Sequence, residues 1–156
     1  MNTLDKKMVV DSLISLFEEK IQKLTRSLED IRERARDAPG SNVSHSDTSK
    51  SQLSDLAHSL EKQFEEPKEV LNFLKNLKVM DRESVVVGAL FTLADKSGGY
   101  NHYFLLPCGG GDLVAVNDEE VMAVSVASPL VGAVKGKKRG DEINFRSSAL
   151  VVKNVW

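Results

Sequence analysis

Residues 4–36 read LDKKMVVDSLISLFEEKIQKLTRSLEDIRERAR, and the spacing of their apolar side chains decides the fold. Val10, Ile14, Phe17, Ile21, Leu24, Leu28, Ile31 and Ala35 recur alternately four and three apart. That is the heptad seam of a helix laid along another helix. No glycine or proline interrupts it before Pro39 and Gly40. The spacing predicts one helix of about 32 residues, near 48 Å long at ~1.5 Å per residue.

Working outward, the segment from Asp37 to Ser46 is rich in Pro, Gly, Ser and Asn and reads as a chain reversal. Ser46 or Asp47 is placed to cap a second helix. Leu53, Leu56, Leu60, Phe64, Val70, Leu71, Leu74 and Leu77 continue the three-and-four spacing, so a second helix of nearly equal length folds back antiparallel on the first. Pro67 inside it removes a backbone donor and predicts a kink, or a split after Glu66. Pairing roughly symmetric about residue 42 places Pro67 near Leu16. Contact between residues near 17 and 64 is the mark expected of an intramolecular hairpin.

From Val85 the pattern changes to short β-rich runs. Strands are predicted at 85–94, 100–106, 113–116, 121–126, 142–145 and 149–155, with Ser97-Gly98-Gly99 and Gly109-Gly110-Gly111 as connections. Ser128 to Val134 reads as one short helix, with Ser128 as its cap and Pro129 in its first turn. The fold class is therefore α+β: an N-terminal antiparallel coiled-coil hairpin over 1–80, then a small, mostly antiparallel β domain with one helix over 81–156.

Among 156 residues the formal charge is −2 and 41% are apolar. Neither half forms the concentrated basic face that general DNA or RNA affinity requires. One cysteine, Cys108, excludes an internal disulfide and a thiolate metal cluster and fits a reducing compartment. No apolar run approaches the ~18 residues of a membrane span, and the first residues lack a signal-peptide core. The expected location is the cytoplasm.

At Ser125-Val126-Ala127-Ser128-Pro129-Leu130-Val131-Gly132-Ala133-Val134-Lys135-Gly136-Lys137-Lys138-Arg139-Gly140-Asp141-Glu142 the chain resembles the carboxyl-terminal domain of the bacterial transcript cleavage factors GreA and GreB. The shared pattern is a strand ending in Ser-Pro-hydrophobic, a short helix, then Gly-Lys-Lys-x-Gly-Asp and a strand. Val87-Gly88-Ala89 resembles that domain's first strand. The resemblance implies an FKBP-like platform docking at the outer rim of RNA polymerase's secondary channel, with the hairpin tip reaching toward the active site. Ser128, Pro129, Leu130, Lys137 and Lys138 are then the platform's contact candidates. RNA polymerase is the implied partner, nascent RNA an indirect contact, and the protein itself a monomer without an active site or cofactor of its own.

The resemblance also implies a tip resembling Asp-x-x-Glu-Asn, whose carboxylates help hold a magnesium ion shared with the polymerase. Magnesium wants hard oxygen ligands. Here an ungapped comparison back from Gly88 puts Ser41 and Ser44 at those positions, and Asp37 and Asp47 are the nearest carboxylates. Asp47 is the metal candidate, with Asp37 and His45 the other tip candidates. Capping explains the two aspartates equally well, and a solvated loop position explains His45. Cleavage stimulation, a non-cleaving occupancy of the channel, an FKBP-like prolyl isomerase and a dimeric coiled-coil scaffold are the alternatives. The cluster Lys135, Lys137, Lys138 and Arg139 reads either as a solvated helix end offsetting the dipole or as a polymerase contact.

Overall fold

The computed structural model describes the backbone of residues 4–37 and 44–156 and the side chains of residues 4–37 and 50–156. The element order is α1 (Lys6–Asp37), α2 (Ser44–Gln63), α3 (Glu65–Asn76), β1 (Leu90–Asp95), β2 (Tyr100–Leu106), β3 (Leu113–Val116), β4 (Glu119–Ser125), α4 (Pro129–Val134), β5 (Glu142–Phe145) and β6 (Ser148–Val155). It is an α+β fold. Six strands make one sheet in the order β3-β4-β2-β1-β6-β5. Every neighbouring pair is antiparallel except β2 and β4, which run parallel because β3 intervenes in the chain.

All eight seam positions of α1 are buried or half-buried, as a two-helix seam demands. Its first three turns bury more than the seam. Val9 and Leu13 are fully covered, because this part of α1 meets the sheet as well as α3. Val9, Val10, Leu13, Phe17, Val70 and Leu74 share one core with the sheet residues Leu90, Phe104, Leu106, Val121 and Ala123. The opposite face of the sheet follows the period-2 alternation of strands: Phe91, Leu93, Leu105 and Val124 pack with Val131 and Val134 of α4.

The helices pair antiparallel, with Arg32 Nη2 2.6 Å from Glu61 Oε1 and Lys75 Nζ 3.6 Å from Glu18 Oε1. These pairs correct the symmetric register. Pro67 shares a groove with Leu24 rather than facing Leu16, and Phe64 lies by Leu28 while Phe17 packs with α3. Interdigitating side chains set the offset, and the loop's midpoint does not. The second helix is indeed divided, but at Phe64 instead of after Glu66. A proline needs no N–H in a helix's first turn, so the lost bond falls one turn earlier, at the carbonyl of Gln63. Phe64 N–H turns to Glu61 O at 3.3 Å, and Lys68 N–H resumes the ladder to Phe64 O at 3.0 Å.

Three further expectations change. Leu56 is 50% exposed and Ala57 takes its place on the inner face. The start of α2 at Ser44 puts Ser46 and Asp47 inside the first turn instead of at its cap. Residues 85–89, Val87-Gly88-Ala89 included, precede β1 as a turn. Gly88 (φ +92°) redirects the chain there, donating to Leu105 O at 2.8 Å.

Two hairpins close through residues in the left-handed region, Asn117-Asp118 between β3 and β4 and Arg146-Ser147 between β5 and β6. Two-residue turns of this hand match the twist of the strands, and Asn and Asp tolerate it. Arg146 (φ 50°) and Ser147 (φ 65°) have no such advantage. Ser147→Gly is therefore expected to stabilise the protein by about 0.5–1 kcal/mol, raising the melting temperature by roughly 1–4 °C. A thermal melt that stays level or falls would show that this turn is not strained.

Where the chain passes from α3 to the sheet, Lys6 is 6% exposed. Its Nζ donates to Met80 O at 2.6 Å and Trp156 O at 3.0 Å, tying α1 to the connection and to the end of β6. Burial pushes its ammonium down from 10.5 to about 8; Arg82 adds to this and Asp81 opposes it. Between about pH 8 and 10.5 the unfolded chain holds a proton that the folded one has released, so stability from this group rises with pH. The urea midpoint of the wild type, relative to Lys6→Met, is expected to climb across that window. Titrating tyrosines are common to both proteins and cancel. A constant difference would refute the assignment.

Candidate functional site

The hairpin leaves the platform at a defined level. Lys20 Nζ lies 2.5 Å from Asp112 Oδ1 in the β2–β3 connection, and the same connection meets Glu66 at Gly109. Beyond Lys20, α1 continues for about 26 Å at ~1.5 Å per residue, its inner face turned first to the start of α3 and then to α2. There only Leu28 and Ile31 of α1 are buried, and no described side chain of α2 is. Ala35 and Ala57 are too small to close the seam. A groove of about 710 Å³ remains, walled by Ile31, Leu53, Arg36 and His58.

Of the tip candidates, Asp37 is exposed on the last turn of α1. Ser41 lies outside the described residues, as do the side chains of Ser44, His45 and Asp47. Among the described residues no three His, Cys, Asp or Glu side chains converge as a metal cage. Magnesium takes several oxygen ligands, and among the described tip residues Asp37 offers one carboxylate.

On the platform, Ser128 occupies the position before α4 in extended conformation (φ −69°, ψ 134°). Its carbonyl accepts from Gly132 N–H at 3.1 Å, but its hydroxyl makes no capping bond, contrary to expectation. Pro129 is exposed, whereas Leu130 is only 9% exposed. Leu130 is thus corrected from a contact candidate to a core residue, since α4 must bury one face on the sheet. Lys135, Lys137, Lys138 and Arg139 are all exposed in the turn after α4.

No protein-family model matches this chain, and no curated protein matches it. Solved structures are similar to it along most of its length. A structure of the transcription factor Gfh1 is 15% identical, covering 92% of this chain and 93% of that one, at a TM-score of 0.37. The GreA factor homolog 1 (Gfh1) protein of Thermus thermophilus is 14% identical over 94% of each chain, at 0.38. Thermus aquaticus Gfh1 is 17% identical over 86% of this chain and 92% of that one, at 0.36. Superpositions this loose fix neither partner nor activity.

One polar constellation was not visible in the sequence. His102 Nδ1 lies 2.7 Å from Thr92 Oγ1 and Nε2 lies 3.2 Å from Glu119 Oε2, while the Tyr100 hydroxyl donates to Glu119 Oε1 at 3.2 Å. A carboxylate only accepts, so the network assigns the proton to Nε2 and lets Nδ1 accept from Thr92. The chain hydroxyl–imidazole–carboxylate is the order of a nucleophilic triad. Thr92 is 3% exposed, however, and its hydroxyl has no access to a substrate. The group clasps β1, β2 and β4 together. Three residues ten and seventeen apart on different strands carry no sequence signal.

The isomerase alternative needs an aromatic-lined pocket. Phe91 and Phe104 are instead fully buried, and the Phe91 ring stacks on Tyr103 with centroids 5.3 Å apart. These rings build the core. Among the described residues no helix is long and apolar enough to cross a membrane.

Proposed function

We propose that this chain is a regulator of transcript elongation that binds RNA polymerase at the rim of the secondary channel and sends its hairpin inward, occupying the channel without supplying a metal-holding carboxylate pair. The observation that carries the reading is the hairpin itself. Its base is welded into the sheet's core, while roughly 26 Å of α1 beyond Lys20 runs along the first turns of α3 and then along α2. A two-helix rod buries too little to be rigid alone, and a sheath supplied by another protein gives such a rod its use. The resemblance from Ser125 to Glu142 supplies the identity of that protein.

The test adds purified protein to a backtracked elongation complex and follows two readouts. Expected are displacement of a known channel-binding factor and RNA shortening no faster than the polymerase's own. Absence of both binding and displacement would defeat the reading. Accelerated shortening would defeat the non-cleaving part alone, and its loss in Asp37→Ala or Asp47→Ala would then locate the carboxylate.

A further inference from the structure

We infer that the turn running from Lys135 to Arg139 is a docking surface for an acidic protein face. This rests on the reading above and specifies the charge of the partner surface that the platform meets.

Four cations stand within five residues, all exposed, and among the described residues none forms an ion pair. The chain as a whole carries two more acids than bases, so the turn is a local inversion of charge. Like charges this close repel, and α4, a helix of six residues, gives four cations little dipole to offset. The nearest acid in the chain, Asp141, is bound to the backbone of the turn: its Oδ2 accepts from the N–H of Lys138 at 2.8 Å, and it forms no ion pair with the four cations.

The turn is also held rigidly. Gly136 N–H donates to Val85 O at 2.8 Å, Val85 N–H to Lys137 O at 2.9 Å, and Gly140 N–H to Val152 O at 2.7 Å. Ser84 bridges Lys138, so the connection from the hairpin braces one side. Backbone fixed on both sides presents its cations with little ordering left to lose on binding.

Charge complementarity favours a protein over a nucleic acid as the occupant. Lys135 to Arg139 spans at most ~14 Å of chain, and exposed Glu83 and Glu142 flank it. A phosphate backbone, with one charge every ~1.7 Å of duplex, would run onto those acids. No exposed aromatic ring stands in the turn to stack a base. Exposed Val126 and Pro129 lie at the other end of α4, only six residues long. Apolar and basic groups side by side suit the mixed surface of a protein partner.

The test compares the full chain with Lys137→Gln/Lys138→Gln/Arg139→Gln and with the corresponding triple Glu variant, each checked for unchanged circular dichroism. The probes are RNA polymerase core enzyme, a glutamate-rich helical peptide and single-stranded RNA. Wild type is expected to bind polymerase and peptide with affinity that falls as salt rises. Neutralisation should weaken both at least tenfold and reversal further, with no RNA binding at 0.15 M salt. Affinities within twofold of wild type after reversal would overturn the inference, as would RNA binding that reversal abolishes while the peptide stays unbound. Peptide binding without polymerase binding would uphold the docking surface and defeat the elongation reading.

Discussion

Phe17→Ala is expected to remove about 3–5 kcal/mol of stability, a large share of the 5–15 kcal/mol typical of a whole domain. Phe17 is 2% exposed and sits where α1, α3 and the sheet share one core. Deleting its ring opens a cavity in the core it shares with Leu13, Val70 and Leu74 of the helices and with residues of the sheet. None of these can collapse inward without dragging a whole element. Lys20 Nζ, 4.8 Å from the Phe17 ring centroid, also loses its platform. The shared core adds a second, qualitative expectation. Helical circular dichroism should report α1 and α3, and fluorescence of the single tryptophan, Trp156, should report the sheet, against whose helix-side core it packs. In urea the two signals are expected to fall together in the wild type and to shift together in the variant. Separate transitions would show that the root of the hairpin and the sheet are not one cooperative unit, whatever the size of the shift.

The same shared core explains what the sequence did and did not disclose. A heptad repeat is a local signal, and all eight α1 seam positions turned inward as their spacing implied. Val9, Leu13 and Lys6 lie off that seam. They are buried by a sheet more than seventy residues away in the chain, which no periodicity within α1 can announce. Leu56 and Ala57 show the converse. Hydropathy prefers the leucine, but the face set by Leu53, Leu60 and Phe64, all half-buried, runs through position 57 and turns the alanine inward.

Strands β2, β3 and β5 fall where alternation and glycine spacing placed them. The start of β1 does not, because Val85 to Val87 have the composition of a strand while Gly88 at φ +92° takes the path of a turn. The two tight hairpins carry no glycine and were correspondingly faint. At the candidate site, the exposed turn after α4 was legible because charge clustering is itself local. Leu130 was not, since a Ser-Pro-hydrophobic motif does not say which of its residues faces the core. The clasp of Thr92, His102 and Glu119 exists only once three strands are in register.

Gly110→Ala is expected to be the most damaging of the glycine replacements, at about 2–4 kcal/mol, from left-handed strain of roughly 1–3 kcal/mol plus displaced backbone. Gly110 lies in the β2–β3 connection at φ +110°, and a Cβ there would stand 3.2 Å from both Ala123 O and Ser125 N and 3.3 Å from Val124 Cα. These are backbone atoms of β4, an inner strand that cannot yield. The connection must lift instead. That motion breaks the bond from Gly111 N–H to Ala123 O, now 2.7 Å, and draws Asp112 away from Lys20. Gly111→Ala is the matched control, because its φ is +90° but nothing lies within 4 Å of its Cβ. It should carry the strain alone, about 1–2 kcal/mol. The difference between the two variants, read from urea midpoints at constant slope, isolates the steric contact from the backbone conformation. Equal losses would mean that the connection is free to rise from β4. It would then not brace the hairpin at Lys20, and the projecting length of α1 would begin nearer the platform than Lys20.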